Sequence, residues 1–265
     1  MDPLRNYLLA LQYFTRVPVT GAVAQWADYS PHRLRASAAH FPGVGALVGL
    51  CAAGVAVGLL LALKPTPLAA LVAAAASTVV TVLLTGGLHE DGLADVADGL
   101  GGFTDRERAL EIMKDSRVGP FGALALVLAL LLKVSLLALI GAGSAFTMGV
   151  ALFLAHVVSR TWPLLVIRRL PHVGDTARSK SKPLADTISR ATLAAGFGWL
   201  LLSLGVAGWM QGALFVLAPL IASLLVLLMM IGFFRRRLGG FTGDCLGATQ
   251  QVCEIACYLG VALTA

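Results

Sequence analysis

Long apolar runs decide what this chain can fold into. A helix crosses a bilayer with about 20 mostly apolar residues. Runs of that kind stand at 43–63, 67–88, 119–140, 144–166, 191–211, 213–234 and 245–264. Gln250, Gln251 and Glu254 make the last the most polar. In hydrocarbon, backbone groups must be satisfied within their own segment, which leaves helices as the spanning form for such runs. The expectation is an all-α, polytopic membrane bundle of about seven transmembrane helices, forming one embedded domain over 1–265. Only 13% of residues are charged, against about 25% in soluble domains, so an ordinary soluble globule and a disordered chain are both excluded.

Basic residues number 20 against 14 acidic ones, for a net charge of +6. Their placement argues against a nucleic-acid partner. All but Lys64, Lys133 and Arg160 lie before the first run or close after the second, fourth and sixth. The positive-inside rule then puts the N-terminus and those three connections in the cytoplasm, with the protein in the cell (inner) membrane. Gln12 and Arg16 interrupt the first apolar stretch, so 1–42 reads as an interfacial or re-entrant segment rather than a signal peptide. No internal repeat points to an inverted-repeat transporter. The four cysteines, Cys51, Cys245, Cys253 and Cys257, have no metal or redox spacing and read as packing residues.

Eight of the 14 acidic residues fall between Glu90 and Asp115, after the second run. In GGLHEDGLADVADGLGGF (86–103), Asp91, Asp95 and Asp98 stand at i, i+4 and i+7. On a helix they cover an arc of about 60°. Like charges so placed repel, and the intervening Gly, Leu, Ala and Val supply no basic partner. A hard cation offsets the repulsion: Mg²⁺ commonly joins one or two carboxylates to substrate phosphates. Residues 89–118 are therefore the expected cytoplasmic catalytic loop or helix. His89 and Glu90 point off the Asp face and are left to cap the helix or reach a ligand. Asp105, Glu107, Glu111 and Asp115 are interleaved with Arg106, Arg108 and Lys114 and read as a solvated face.

A second acidic group opens the last run, where Asp244, Gln251 and Glu254 stand broadly on one face. A carboxylate inside an apolar run is a functional candidate. For Glu254 the competing role is a structural ion pair with Lys133 or Arg160; Asp244 could equally cap its helix. Lys114, Arg117 and Arg160 are candidates for holding phosphate. Arg117 precedes a helix start suited to anions, and Arg160 lies roughly 9 Å inside its run.

The stretches LQYFTRVPV (11–19), HFPGVGALVG (40–49), GGLHEDGLADVADGLGG (86–102), KDSRVGPFG (114–122), SRTWP (159–163) and GGFTGDCLGA (239–248) resemble the cobalamin synthase family, the adenosylcobinamide-GDP ribazoletransferases. The resemblance covers essentially the whole chain. It implies a Mg²⁺-dependent membrane enzyme joining α-ribazole, or its 5′-phosphate, to adenosylcobinamide-GDP with release of GMP. The family's acidic stretch falls on Glu90, Asp91, Asp95 and Asp98, and its GD-x-x-GA stretch on Asp244 and Gly247.

On that reading Asp91, Asp95 and Asp98, assisted by Asp244 or Glu90, hold one or two Mg²⁺, with Gln251 and Glu254 behind them. Asp98, the least crowded, takes the proton of the attacking hydroxyl, with Asp95 and His89 as the other catalytic candidates. Two rivals stand beside it. A membrane CDP-alcohol phosphotransferase also carries spaced aspartates but reads D-G-x-x-A-R, and the Arg is absent here. An ion-coupled transporter would place its carboxylates near mid-membrane.

Overall fold

The structure is a computed structural model describing residues 2–102, 105–174 and 188–264. Part of the basic string after the fourth run, including Arg178, Lys180 and Lys182, lies outside the described residues. Helices α1 (Pro3–Phe14), α2 (Gly21–Ala27) and α3 (Pro31–Ser37) form an N-terminal group. A 3-10 turn (Ala38–His40) joins α3 to α4 (Phe41–Ala62), followed by α5 (Pro67–Thr85), α6 (Leu88–Leu100) and α7 (Arg106–Ile112). Then come α8 (Pro120–Gly143), α9 (Ala145–Arg169), α10 (Arg190–Gln211), α11 (Ala213–Leu238) and α12 (Gly243–Ala262). Extended pairing among the described residues is limited to the isolated bridge between His172 and Phe241.

Local chemistry sets these boundaries. Proline stands in the first turn of α1, α3, α4, α5 and α8, where its fixed φ suits a helix start and its missing N–H costs nothing. Ser30, Ser144, Ser189 and Thr242 each accept a backbone N–H as N-caps. Between α5 and α6 the chain turns through Gly86 and Gly87, at φ +69° and +73°, a left-handed pair that side chains disfavour.

Six helical segments are long and apolar enough to cross a membrane: Pro31–Ala62, Leu68–Thr85, Pro120–Gly143, Ala145–Arg169, Arg190–Gln211 and Ala213–Leu238. The first starts well before position 43, because α3, the 3-10 turn and α4 run on continuously. The seventh run is a helix too, α12, spanning about 30 Å at 1.5 Å per residue. Its polar side chains keep it out of that apolar set, and they are buried within the bundle. Within 89–118 lie most of α6 and the whole of α7, with Gly101 and Gly102 following the end of α6.

Helices α9 and α12 form the centre. In α9, 89% of the best apolar window is buried, against 22% in α8 and in α10, whose outward leucines and valines suit lipid. Helix α4 lies directly on α9, since a Cβ at Gly49 would sit 2.9 Å from Phe153 Cα and one at Gly45 would run into the His156 carbonyl. This is the small-xxx-small contact of membrane helices. Cys245, Cys253 and Cys257 are buried packing residues, and no cysteine is in a disulfide.

Candidate active site

The acidic site forms where α6 meets α12, and two missing side chains make that meeting possible. A Cβ at Gly92 would lie 2.8 Å from the Asp244 carbonyl oxygen and 3.1 Å from its Cα, and one at Gly247 would lie 3.3 Å from His89 Cα. The two backbones therefore touch, and Asp244 joins the carboxylates of α6. Asp244 is not the cap of α12. That position belongs to Thr242, which accepts the Cys245 N–H and donates its hydroxyl proton to Asp244 Oδ2 at 3.2 Å.

Electrostatics registers the crowding. Burial, and then the charges of Asp244, Asp91 and Asp98, push the Asp95 carboxyl up to about 7. Burial also raises Asp244, with Asp91 adding to the effect. Among the described residues neither Asp91 nor Asp95 has a hydrogen-bonding or ion-pairing partner. Asp91 is exposed and Asp95 half-buried.

Asp98 departs from expectation. One of its carboxylate oxygens accepts the Gly119 N–H at 2.7 Å and the other the Gly122 N–H at 2.8 Å. It caps α8 from a neighbouring helix, and a Cβ at Gly122 would run into the carboxylate. Far from being the least crowded aspartate, it is the one already bonded through both oxygens.

Glu90 and His89 turn inward. Glu90 Oε1 accepts from Gln251 Nε2 at 2.9 Å, and Oε2 is buried with no bond. His89 is buried beside Phe14, rings 6.5 Å apart, with Nδ1 unbonded. Its burial pulls the imidazole well below its usual range.

Deeper still lies a closed ionic group. Lys133 Nζ stands 2.7 Å from Glu254 Oε1, with the side chains 1% and 0% exposed. Glu254 also accepts from Tyr258 Oη at 2.9 Å and Gln250 Nε2 at 2.6 Å. His156 Nδ1 lies 3.5 Å from Glu254 and 2.8 Å from Arg160 Nη1. Of the two partners open to Glu254, Lys133 makes the direct bond. Glu254 and Gln251 thus sit in the bundle core rather than behind the Asp face.

The phosphate candidates are dispersed. Arg160 is buried within this group. Arg117, its side chain 87% exposed, pairs with Asp115 and holds that carboxyl down at about 2. Lys114 is exposed in the turn after α7.

Among the described residues, no three His, Cys, Asp or Glu side chains already enclose a cation site. The donor set of Asp91, Asp95 and Asp244 still fits Mg²⁺: all its donors are hard oxygens, partly open, and mutually repelling without a counter-charge. Such an ion completes its shell with water and phosphate oxygens. A cleft of about 560 Å³ opens beside Asp91, lined also by Tyr13, Thr15, Arg16, Thr85 and Gly86.

The family model described as Cobalamin-5-phosphate synthase matches residues 6–262. The chain belongs to the cobalamin-5-phosphate synthase family. Relatives named adenosylcobinamide-GDP ribazoletransferase include one from Polaromonas sp., 60% identical with both chains fully covered. One from Albidiferax ferrireducens is 58% identical over 98% of each chain. Another, from Shewanella amazonensis, is 44% identical over 97% of this chain and 94% of its own. No solved structure matches. As a member of the cobalamin-5-phosphate synthase family the chain is a multi-pass membrane transferase of cobalamin biosynthesis.

For this cobalamin-5-phosphate synthase relative, reading the residues alone missed what surrounds the aspartates. Arg16, one of the basic residues whose distribution marks topology, lines the cleft. The available signal was its position as a lone charge interrupting an apolar stretch. Gly92, Gly119, Gly122 and Gly247 were visible only as glycines, because the contacts that require them come from distant segments.

Proposed function

We propose that this enzyme joins α-ribazole or its 5′-phosphate to adenosylcobinamide-GDP, releasing GMP, with Mg²⁺ at the carboxylates of Asp91, Asp95 and Asp244. The observation that carries it is the uncompensated carboxylate set, assembled from α6 and α12 beside an open cleft, in a chain of this family. The Mg²⁺ ion, when bound, neutralises the pyrophosphate and the charge that develops on the transferring phosphorus.

In the transfer, a ribose hydroxyl oxygen bonds to the phosphorus attached to the cobinamide side, and the bond from that phosphorus to the GMP oxygen breaks. GMP leaves with the electron pair, and the hydroxyl proton passes to a carboxylate. We assign that proton to Asp95, which stands mid-face with both oxygens free of hydrogen bonds, whereas those of Asp98 are occupied. His89 is walled off by Phe14 and the packing of α6 on α12, so it serves as packing. Asp91 and Asp244, on facing helices, would hold the Mg²⁺ through which the pyrophosphate is engaged.

The basic connections support a cytoplasmic site in the inner membrane. Helices α1 and α2, with Trp26 exposed and Arg5 stacked over its ring at 4.9 Å, suit the bilayer interface.

The test is a detergent or liposome assay with adenosylcobinamide-GDP, α-ribazole and its 5′-phosphate. Mg²⁺-dependent release of GMP is expected. Release of CMP from a CDP-alcohol, with none of GMP, would instead favour the phosphotransferase class.

A further inference from the structure

Arg16 lines the cleft beside Asp91 and takes no part in the transfer as described above. It follows α1 in a turn that its own backbone and neighbour fix. The Arg16 N–H donates to the Leu84 carbonyl at 2.7 Å. Thr15 Oγ1 donates to the Leu11 carbonyl at 2.7 Å and accepts the Val17 N–H at 3.2 Å. The backbone at 16 is thereby tied to the end of α5, and its side chain lies over the glycine turn that opens α6. A Cβ at Gly86 would collide with the Arg16 guanidinium, and the φ of +69° there already disfavours one. The glycine leaves room for the guanidinium to rest on the backbone.

Among the described residues no carboxylate pairs with Arg16, although Asp91 lines the same cleft. Thr85, which also lines it, is already committed, donating to the Thr81 carbonyl at 3.0 Å. Among the described residues, the walls of the cleft therefore hold both a carboxylate and a guanidinium that are not paired with each other, within about 560 Å³. One ligand chemistry satisfies both groups together: a phosphate group, bridged through a cation to Asp91 and gripped directly by the fork of Arg16 N–H donors.

We propose that Arg16 is a substrate-binding residue that holds a phosphate group in this cleft. The proposal rests on the transferase reading above and adds a role that reading does not contain. Two phosphates could fill the place: that of the departing nucleotide, or the 5′-phosphate of a phosphorylated ribazole.

The experiment compares wild type with Arg16→Gln and Arg16→Lys under saturating Mg²⁺. KM is measured separately for adenosylcobinamide-GDP, α-ribazole and α-ribazole 5′-phosphate, with GMP inhibition alongside. Loss of a charge-assisted bond predicts KM raised about ten- to a hundredfold in R16Q, with kcat little changed and partial recovery in R16K. A rise confined to α-ribazole 5′-phosphate, with α-ribazole unaffected, assigns the nucleophile's phosphate. A rise for adenosylcobinamide-GDP with weaker GMP inhibition assigns the nucleotide's. Unchanged KM for all three, at wild-type melting behaviour, overturns the proposal.

A second measurement needs no variant. Phenylglyoxal should label Arg16 in the wild-type protein, and Mg²⁺ with GMP or inorganic pyrophosphate should protect it. Labelling that neither ligand diminishes overturns the proposal as well. Because this readout needs no turnover, protection in a protein that transfers nothing would sustain Arg16 while sinking the transferase reading.

Discussion

Helix α6 carries acidic residues on two sides, and they meet opposite fates. Inward, Glu90 is bonded to Gln251, and behind it Glu254 is matched to Lys133 with Tyr258, Gln250, His156 and Arg160 around it. Outward, Asp91, Asp95 and Asp244 crowd one another with no cation among them, and Asp95 is driven up to about 7. The charge of Glu254, matched and sealed from water, is architecture. Uncompensated charge at a cleft marks where a ligand belongs, because an arriving cation removes the repulsion.

This contrast breaks most visibly at Asp95. Asp95→Asn should lower the rate of GMP release by about a thousandfold, equivalent to ~4 kcal/mol, while the metal-free protein melts no lower than wild type, since a repulsion is relieved. Near-normal turnover in that variant would undo the assignment.

The inward group should behave in the reverse manner. Lys133→Met alone, leaving Glu254 buried without its lysine, should destabilise the protein by about 3–5 kcal/mol. The double variant Lys133→Met/Glu254→Leu should recover most of that loss, read as resistance to denaturant in detergent. The Mg²⁺ concentration for half-maximal activity should stay put in the double variant.

Asp98 lies between the two cases. Asp98→Ala removes a cap and should cost about 0.5–2 kcal/mol, while Asp98→Asn, which keeps one acceptor, should retain substantial turnover, separating it from Asp95 in the same assay. The smallest effect concerns pH. The Asp95 carboxyl is raised from 3.8 to about 7, so a proton bound there favours the folded state. That contribution is complete below pH ~4 and is lost as pH rises through about 7. Metal-free protein should melt lower at pH 8 than at pH 6; saturating Mg²⁺, or the Asp95→Asn substitution, should flatten the difference.

Periodicity made the helices legible, since an apolar run of about 20 residues has few other options in lipid. The arc shared by Asp91, Asp95 and Asp98 was legible for the same reason. What neighbours that arc was not. Residue spacing reports angle on one helix, so it could not foretell that the start of α8 would arrive at Asp98, or Asp244 at Gly92. Glu254 was readable only as far as a choice between two partners, because pairing across helices depends on register. Arg160 and Arg117 read alike as basic groups able to hold phosphate; one is enclosed and the other faces out beside Asp115. The apolar run begins at 43, while the helical path of the first span starts at Pro31, because α3, the 3-10 turn and α4 follow one another without a break.

The bare backbones at Gly92 and Gly247 act as the ruler of this enzyme. They set the gap between acids more than 140 positions apart by the atoms they omit, so that one added methyl at either place works as a wedge. Gly92→Ala would leave every carboxylate chemically intact and still spread them beyond the reach of a single ion.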